Sequence, residues 1–279
     1  MKILVIDRDE LVAQMMTTRL EEDGHEVVVE TSKSEALELV ANQAFDVIFA
    51  DPSPMKDVRA MALNIRRSSK VRPYIIFMTS DEEITLSDSI QMGCNSLIYK
   101  PLDPEHIKTK INNAERLKDF FDNLADTSKD FPSAGGVIAK SAYNQLCLSA
   151  MDRGGRYNEL TYILSIAVEN YDEIKRLDGD YNASYSVSKM AYHMVRLRRL
   201  SDVVGQTREN EYSILLQRTE DEKEALDAAS RFVATFDEID DFLPSDGNPI
   251  TIRLSLIRLP TGACPFDHSL SKKIQIPSE

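Results

Sequence analysis

The sequence predicts an α/β protein of two domains, and three observations carry that expectation. Short apolar runs alternate with helix-length segments through the first part of the chain. A turn-rich break, Phe131-Pro-Ser-Ala-Gly-Gly136, ends that pattern. Beyond it the order changes, and two strand-like runs lie close enough in sequence to return on each other as a hairpin.

In the first domain, residues 1–125, the strand candidates are KILVI, EVVVE, DVIFA, YIIFM and LIY. The segments between them have helical length, which is the βαβ signature of a parallel sheet. Five such units make a flavodoxin-like (βα)5 domain, whose site lies at the carboxyl ends of the strands. Those ends carry Asp7, Asp51, Thr79 and Lys100-Pro101. An Asp at a strand end is often only a helix cap or a turn former. Four chemically useful residues at four strand ends point beyond that.

This constellation resembles the receiver domain of response regulators across nearly all of residues 1–120. The resemblance implies that Asp51 is the phosphoacceptor and Asp7 one member of an acidic pair holding Mg²⁺. It makes Thr79 the hydroxyl that contacts the phosphoryl group and Lys100 its cationic partner. The chemistry is coherent, because a carboxylate nucleophile needs nearby positive charge to tolerate the phosphoryl group. The chain departs from the pattern at Arg8, where the second acid would stand, and at Leu97, where an aromatic switch would stand, with Tyr99 close by. Pro52-Ser-Pro54 alters the loop after Asp51. The alternative is therefore a pseudo-receiver kept for dimerisation or docking.

A connecting helix is expected from Pro104 to about Leu124, with Asp103 as N-cap. Ile107, Ile111, Ala114, Leu117, Phe121 and Leu124 form an apolar stripe. That stripe suits either a homodimer contact or packing against the second domain. A linker at 126–135 leads to the second domain, residues 136–279.

There the predicted order is a helix near Ser141–Met151, a strand Thr161–Val168, a helix ending at Arg199, a hairpin Val203–Leu216, a helix from Glu220 to Phe236, and a strand Ile250–Leu259. The chain is expected to close on a short polar end. The helix ending in Arg196, Arg198 and Arg199 places cations where the helix dipole favours them. In a chain of net charge −13 these arginines are where an anionic ligand would settle.

The segment resembles a GGDEF domain, the diguanylate cyclase family, with a βαββαβ α+β fold, over roughly residues 135–260. Arg199-Leu-Ser-Asp202 matches the family's RxxD inhibitory motif, and Arg208-Glu-Asn-Glu-Tyr212 stands at the signature after a five-residue spacer. The string alone is uninformative, since Arg116–Asp119 and Arg218–Asp221 also match it. Its position relative to the signature gives it weight. The resemblance implies that metal-binding carboxylates fall on Asn170 and Asn210, signature glycines on Arg208 and Glu209, and a guanine-contacting pair on Asp178-Gly179. Glu211 and Tyr212 complete the remnant of the active site. Neutral amides suit divalent ions beside a triphosphate poorly, so the expectation is a non-catalytic domain that holds no metal. The retained motif implies binding of cyclic di-GMP through Arg199, Asp202 and, on the next helix, Arg231. Arg forks suit bidentate acceptors and purine faces. The bland alternative is an ordinary surface ion pair at a helix end.

Composition sets the remaining bounds. At 279 residues, 42% apolar and 28% charged, the chain has room for two ordinary cores. The acidity argues against a general DNA binder. Cys94, Cys147 and Cys264 show neither metal nor disulfide spacing, which suits a reducing compartment. No apolar run long enough for membrane insertion is expected, and a cytoplasmic location is. The predicted partners are cyclic di-GMP and a signalling protein.

Overall fold

A computed structural model describes residues 1–53, 58–69, 71–239, 242 and 248–272, with the side chain of Val58 left aside. The chain divides into two compact units, one of Met1–Lys118 with Arg153–Asn158 and Pro260–Gly262, the other of Asp119–Asp152, Glu159–Leu259 and Ala263–Glu279.

The first unit runs β1 (Lys2–Ile6), α1 (Glu10–Glu22), β2 (Glu26–Glu30), α2 (Lys33–Asn42), β3 (Val47–Ala50), α3 (Val58–Ser68), β4 (Tyr74–Thr79), α4 (Leu86–Gln91), β5 (Ser96–Tyr99) and the start of α5 (Pro104–Ala125). The five strands are parallel in the order β2-β1-β3-β4-β5. Their near-continuous apolar runs reflect cover on both faces. Leu4, Ile6, Ile48, Ala50, Ile75 and Phe77 share one core with Ala36, Val40, Met61 and Ile65 of the helices. The intervening strand residues, Ile3, Val5, Val47, Phe49, Ile76 and Met78, are buried on the other face.

Helix starts follow their caps. Asp9 accepts the Leu11 and Val12 amides at α1, and Thr85 and Asp88 form a reciprocal capping box at α4. Asp103 accepts the Glu105 and His106 amides ahead of α5, with Pro104 as its first residue. In α5 Ile107, Ile111, Ala114, Leu117 and Leu124 are buried as the stripe requires. Phe120 is buried as well, whereas Phe121 is half-buried and meets it edge-on at 5.4 Å.

The second unit carries α6 (Lys140–Tyr157, of which residues 153–157 belong to the first unit), β6 (Thr161–Val168), α7 (Tyr171–Leu197), β7 (Val203–Arg208), β8 (Glu211–Leu216), α8 (Glu222–Glu238), β9 (Ile250–Leu259) and β10 (Phe266–Lys272). Its antiparallel sheet has the order β10-β9-β6-β8-β7. Tyr162, Leu164, Ile166 and Val168 of β6 face a core that takes in Ile174, Val187, Met190 and Met194 of α7 and Ala225, Ala229, Phe232 and Phe236 of α8. On the opposite face the Ser165 and Ser213 hydroxyls meet at 2.8 Å across β6 and β8.

Two features differ from the sequence expectation. The polar end folds as an edge strand through Lys272, paired from Phe266↔Leu256 to Lys272↔Ile250. An edge strand needs one apolar face only, and Leu270 supplies it. The helix before Arg199 is broken at Gly179, whose φ of 86° and ψ of 168° leave the helical region.

Candidate functional site

Three groups of residues carry the chemistry. The first lies at the carboxyl ends of β1, β3, β4 and β5. Lys100 Nζ bridges two carboxylates, at 2.7 Å from Asp7 Oδ2 and 2.6 Å from Asp51 Oδ2. The other Asp7 oxygen accepts the Asp9 amide at 2.9 Å, and the other Asp51 oxygen accepts the Ser53 amide at 2.7 Å. Burial alone would push the Asp51 carboxyl up, but bonds from Lys100 and Ser53 outweigh it and hold the group below the usual carboxylate value. Burial likewise opposes the Lys100 charge, and the two aspartates overcome it and raise the ammonium's pKa.

Thr79 is buried at the neighbouring strand end, where its hydroxyl oxygen accepts the Asp81 amide at 3.0 Å and its carbonyl accepts the Lys100 amide. Leu97 is a core residue, while Tyr99 is partly exposed and donates to the Ile84 carbonyl at 2.7 Å. Arg8 is exposed, and Pro54 lies outside the described residues. The donor set for a divalent ion is thus two carboxylates already tied to one lysine, followed in the chain by an arginine. Mg²⁺ keeps near-octahedral oxygen coordination, and a bound ion would have to compete with Lys100 for both carboxylates. Among the described residues no group of three His, Cys, Asp or Glu side chains could hold a metal.

The second group surrounds the tip of the β7–β8 hairpin. Asn210 Nδ2 donates to the Val168 carbonyl at 2.9 Å, and the Val168 amide returns a bond to the Asn210 carbonyl. Asn170 Oδ1 accepts the Thr251 amide at 2.8 Å and its Nδ2 donates to the Pro249 carbonyl at 3.0 Å. Each of these amides gives an N–H to a backbone carbonyl, which a carboxylate cannot do. Asp178 accepts from both the backbone and the side chain of Asn248. Glu209 pairs with Lys129 at 3.1 Å. The Glu211 carboxylate accepts the Thr207 hydroxyl at 2.5 Å, and burial raises its pKa. Burial also raises that of the Tyr212 phenol.

Among the described residues the non-glycine positions with left-handed φ are Asn158 and Arg218. The turn through Glu209 and Asn210 therefore closes without needing glycine. Beside it opens a polar cleft of about 270 Å³, lined among others by Lys129, Lys140, Glu169, Asp172, Arg208 and Asn210. Lys140 is buried, and its ammonium donates to the Asp126 and Lys129 carbonyls. Replacing Asn210 by Asp is expected to destabilise the fold by about 1–2 kcal/mol, because a donor is lost and an anion is set against the Val168 carbonyl. Unfolding of the variant by urea at neutral pH would measure this, and an unchanged midpoint would refute it.

The third group sits where α7 ends. Arg198 is the C-cap, its amide bonded to the Met194 carbonyl. Asp202 is 4% exposed, and its Oδ2 accepts the Arg199 amide at 3.1 Å while its own amide returns to the Arg199 carbonyl. The motif thus closes a tight turn. Arg198 adds a bond from Nη1 to the Asp202 carbonyl at 2.6 Å. Burial raises the Asp202 carboxyl's pKa, opposed by the Arg199 amide and by the charges of Arg199 and Arg231. Arg231, on α8, acts on Asp202 only through the smallest of these charge effects, and its guanidinium lies over the Phe232 ring at 6.0 Å.

The Arg199 guanidinium is ion-paired with Glu224 of α8, a residue the sequence reading passed over. Its signal was an acid three residues into a helix whose N-cap is Asp221. Arg198, grouped in the sequence with the arginines that an anionic ligand would meet, braces the turn. Arg196 lies over the Tyr192 ring at 5.3 Å and bonds its hydroxyl at 2.6 Å.

The doubly wound sheet with an aspartate-lysine cluster at its carboxyl edge defines a class. Residues 3–112 match the family model described as response regulator receiver domain. The chain is 24% identical over 111 residues to the alkaline phosphatase synthesis transcriptional regulatory protein PhoP of Bacillus subtilis (strain 168), covering 39% of this chain and 46% of that protein. It is 26% identical over 209 residues to the transcriptional regulatory protein KdpE of Staphylococcus aureus, covering 71% of this chain and 86% of that one. The chain spans about half the length of several curated relatives it matches.

Among solved structures, a two-component response regulator from Clostridium difficile is 26% identical, covering 41% of this chain and 95% of that chain with a TM-score of 0.38. The GGDEF domain of PA1120 (TpbB or YfiN) from Pseudomonas aeruginosa is 17% identical, covering 43% and 70% with a TM-score of 0.39. No helix among the described residues is long and apolar enough to cross a membrane.

Proposed function

We propose that the chain is a non-catalytic receptor for cyclic di-GMP that reports occupancy to a protein partner. The observation that carries this reading is the tight turn in which the buried Asp202 carboxylate holds the Arg199 backbone, with the exposed Arg199 at the turn and the charge of exposed Arg231 acting on the same carboxylate. A phosphodiester ligand would meet preorganised cations there in an otherwise acidic chain. The catalytic positions support the same reading from the other side, since Asn170 and Asn210 are committed to backbone carbonyls. Titration calorimetry with cyclic di-GMP is expected to give a Kd in the range of about 0.1–10 μM, and Arg199→Ala to weaken it at least about tenfold. An intact protein that gives no heat and no binding would end the proposal.

A second reading is favoured by the receiver cluster. Lys100 ties Asp7 to Asp51, and Arg8 follows. On that reading the chain is a nucleotide-free scaffold that acts through the receiver or pseudo-receiver, by dimers or by phosphorylated Asp51. Incubation with a small phosphodonor and Mg²⁺ followed by intact-mass measurement separates the two. A mass gain lost in Asp51→Asn would support the scaffold.

A further inference from the structure

The RxxD turn holds its arginine ready, but the arginine is not idle. Glu224 Oε1 pairs with Arg199 Nη1, and Glu224 Oε2 accepts the Glu220 amide at 2.8 Å. The Glu224 amide is in turn fixed by the N-cap, at 2.8 Å from Asp221 Oδ1. Both ends of the pair are therefore placed by backbone: Arg199 by the Asp202 turn, Glu224 by the first turn of α8. Little side-chain freedom remains to be lost on the Glu224 side, which separates this pair from a chance surface contact. The bond from Arg199 keeps the Glu224 carboxyl below its usual range, so it is ionised at neutral pH.

We infer that Glu224 is a built-in competitor for the anion site, a tethered carboxylate that an incoming phosphodiester must displace from Arg199. This rests on the receptor reading for the identity of the ligand, though the competition itself does not. The pair occupies one edge of the guanidinium and neutralises its charge. A ligand therefore has to offer more to the cluster than a single carboxylate does. Cyclic di-GMP brings two phosphodiesters and so can offer the arginines more than one anionic group, whereas a monoanion trades one weak pair for another. Glu224 in this way sets both the threshold of the response and its preference for multiply charged ligands.

Glu224→Gln tests it. The variant keeps an oxygen for the Glu220 amide and leaves the N-cap untouched, so the helix start is preserved. Two measurements are made on the full chain. The first is the rate at which phenylglyoxal modifies Arg199, read by peptide mass spectrometry. Release of the pair is expected to raise that rate about threefold. The second is calorimetric titration with cyclic di-GMP, where the variant is expected to bind about fivefold to tenfold tighter than the parent.

Equal modification rates in the two proteins would overturn the inference whatever the ligand does. A raised rate with no binding by either protein would leave the competitor in place and remove the receptor reading instead. Binding that is the same or weaker in Glu224→Gln would also overturn it.

Discussion

Replacing Lys100 by Met is expected to cost the first unit about 3 kcal/mol at neutral pH, because the buried Asp7 and the half-buried Asp51 then face each other with no cation between them. The side chains of Lys100, Asp7 and Asp51 are 15%, 2% and 22% exposed, so solvent replaces the lysine only in part, at Asp51. Met keeps most of the stem volume, which confines the change to the charge.

The pH dependence should invert as well. In the parent, Asp51 is held below its ordinary value, so its contribution is present at neutral pH and lost as pH falls through the depressed folded-state pKa. Lys100 is raised, so its contribution is present below the unfolded lysine value and lost only as pH rises through the folded one. Without Lys100, at least one of the paired carboxyls binds its proton more tightly in the folded state than in the unfolded one. Relative to the parent, the variant should then gain stability as pH is lowered from 7 to 5, a window in which the Asp51–Lys100 pair itself is constant. Urea unfolding at both pH values measures this. A variant with the parent's pH profile, or a loss under about 0.5 kcal/mol, would show that the lysine is not what holds the two acids.

Gly205→Ala is the second large effect, expected to destabilise the second unit by about 3 kcal/mol. A Cβ built on Gly205 would lie 2.3 Å from Cγ of Tyr143, a ring that is fully buried. The clash is with a packed core ring, so nothing flexible yields. The backbone of Gly205 is ordinary extended strand, paired with Ser213 of β8. Gly24→Ala makes a useful contrast, since φ there is 83° with open space around the new methyl. That change carries backbone strain without collision, and about 1 kcal/mol is expected. If Gly205→Ala unfolded at the same urea concentration as the parent, close packing of Tyr143 on the strand would be refuted.

Much of the fold was legible because its signals are local. The strand runs of the first unit, the Asp103-Pro104 start of α5 and the Val203–Leu216 hairpin follow from residues near one another in sequence. β10 was missed because a one-faced edge strand such as Phe266–Lys272 shows weak alternation, and its pairing with β9 supplies what its own residues lack. Gly205 is legible only as a glycine in a strand; the reason for it arrives from α6, more than sixty residues earlier in the numbering.

The sites divide along the same line. Sequence alone determined which chemical groups the chain owns at each motif: Asp7, Asp51 and Lys100 at the strand ends, amides in place of carboxylates at Asn170 and Asn210, and Arg199 three residues before Asp202. Only the tertiary structure decided what each group is bonded to. Asp202 proved to be a buried brace for its own turn, Asn210 a clasp on Val168, and Glu224 the partner of Arg199 from 25 positions away. The physical reason is that residue type sets charge and donor capacity, whereas burial and distance decide whether that capacity is spent inside the protein or offered to a ligand.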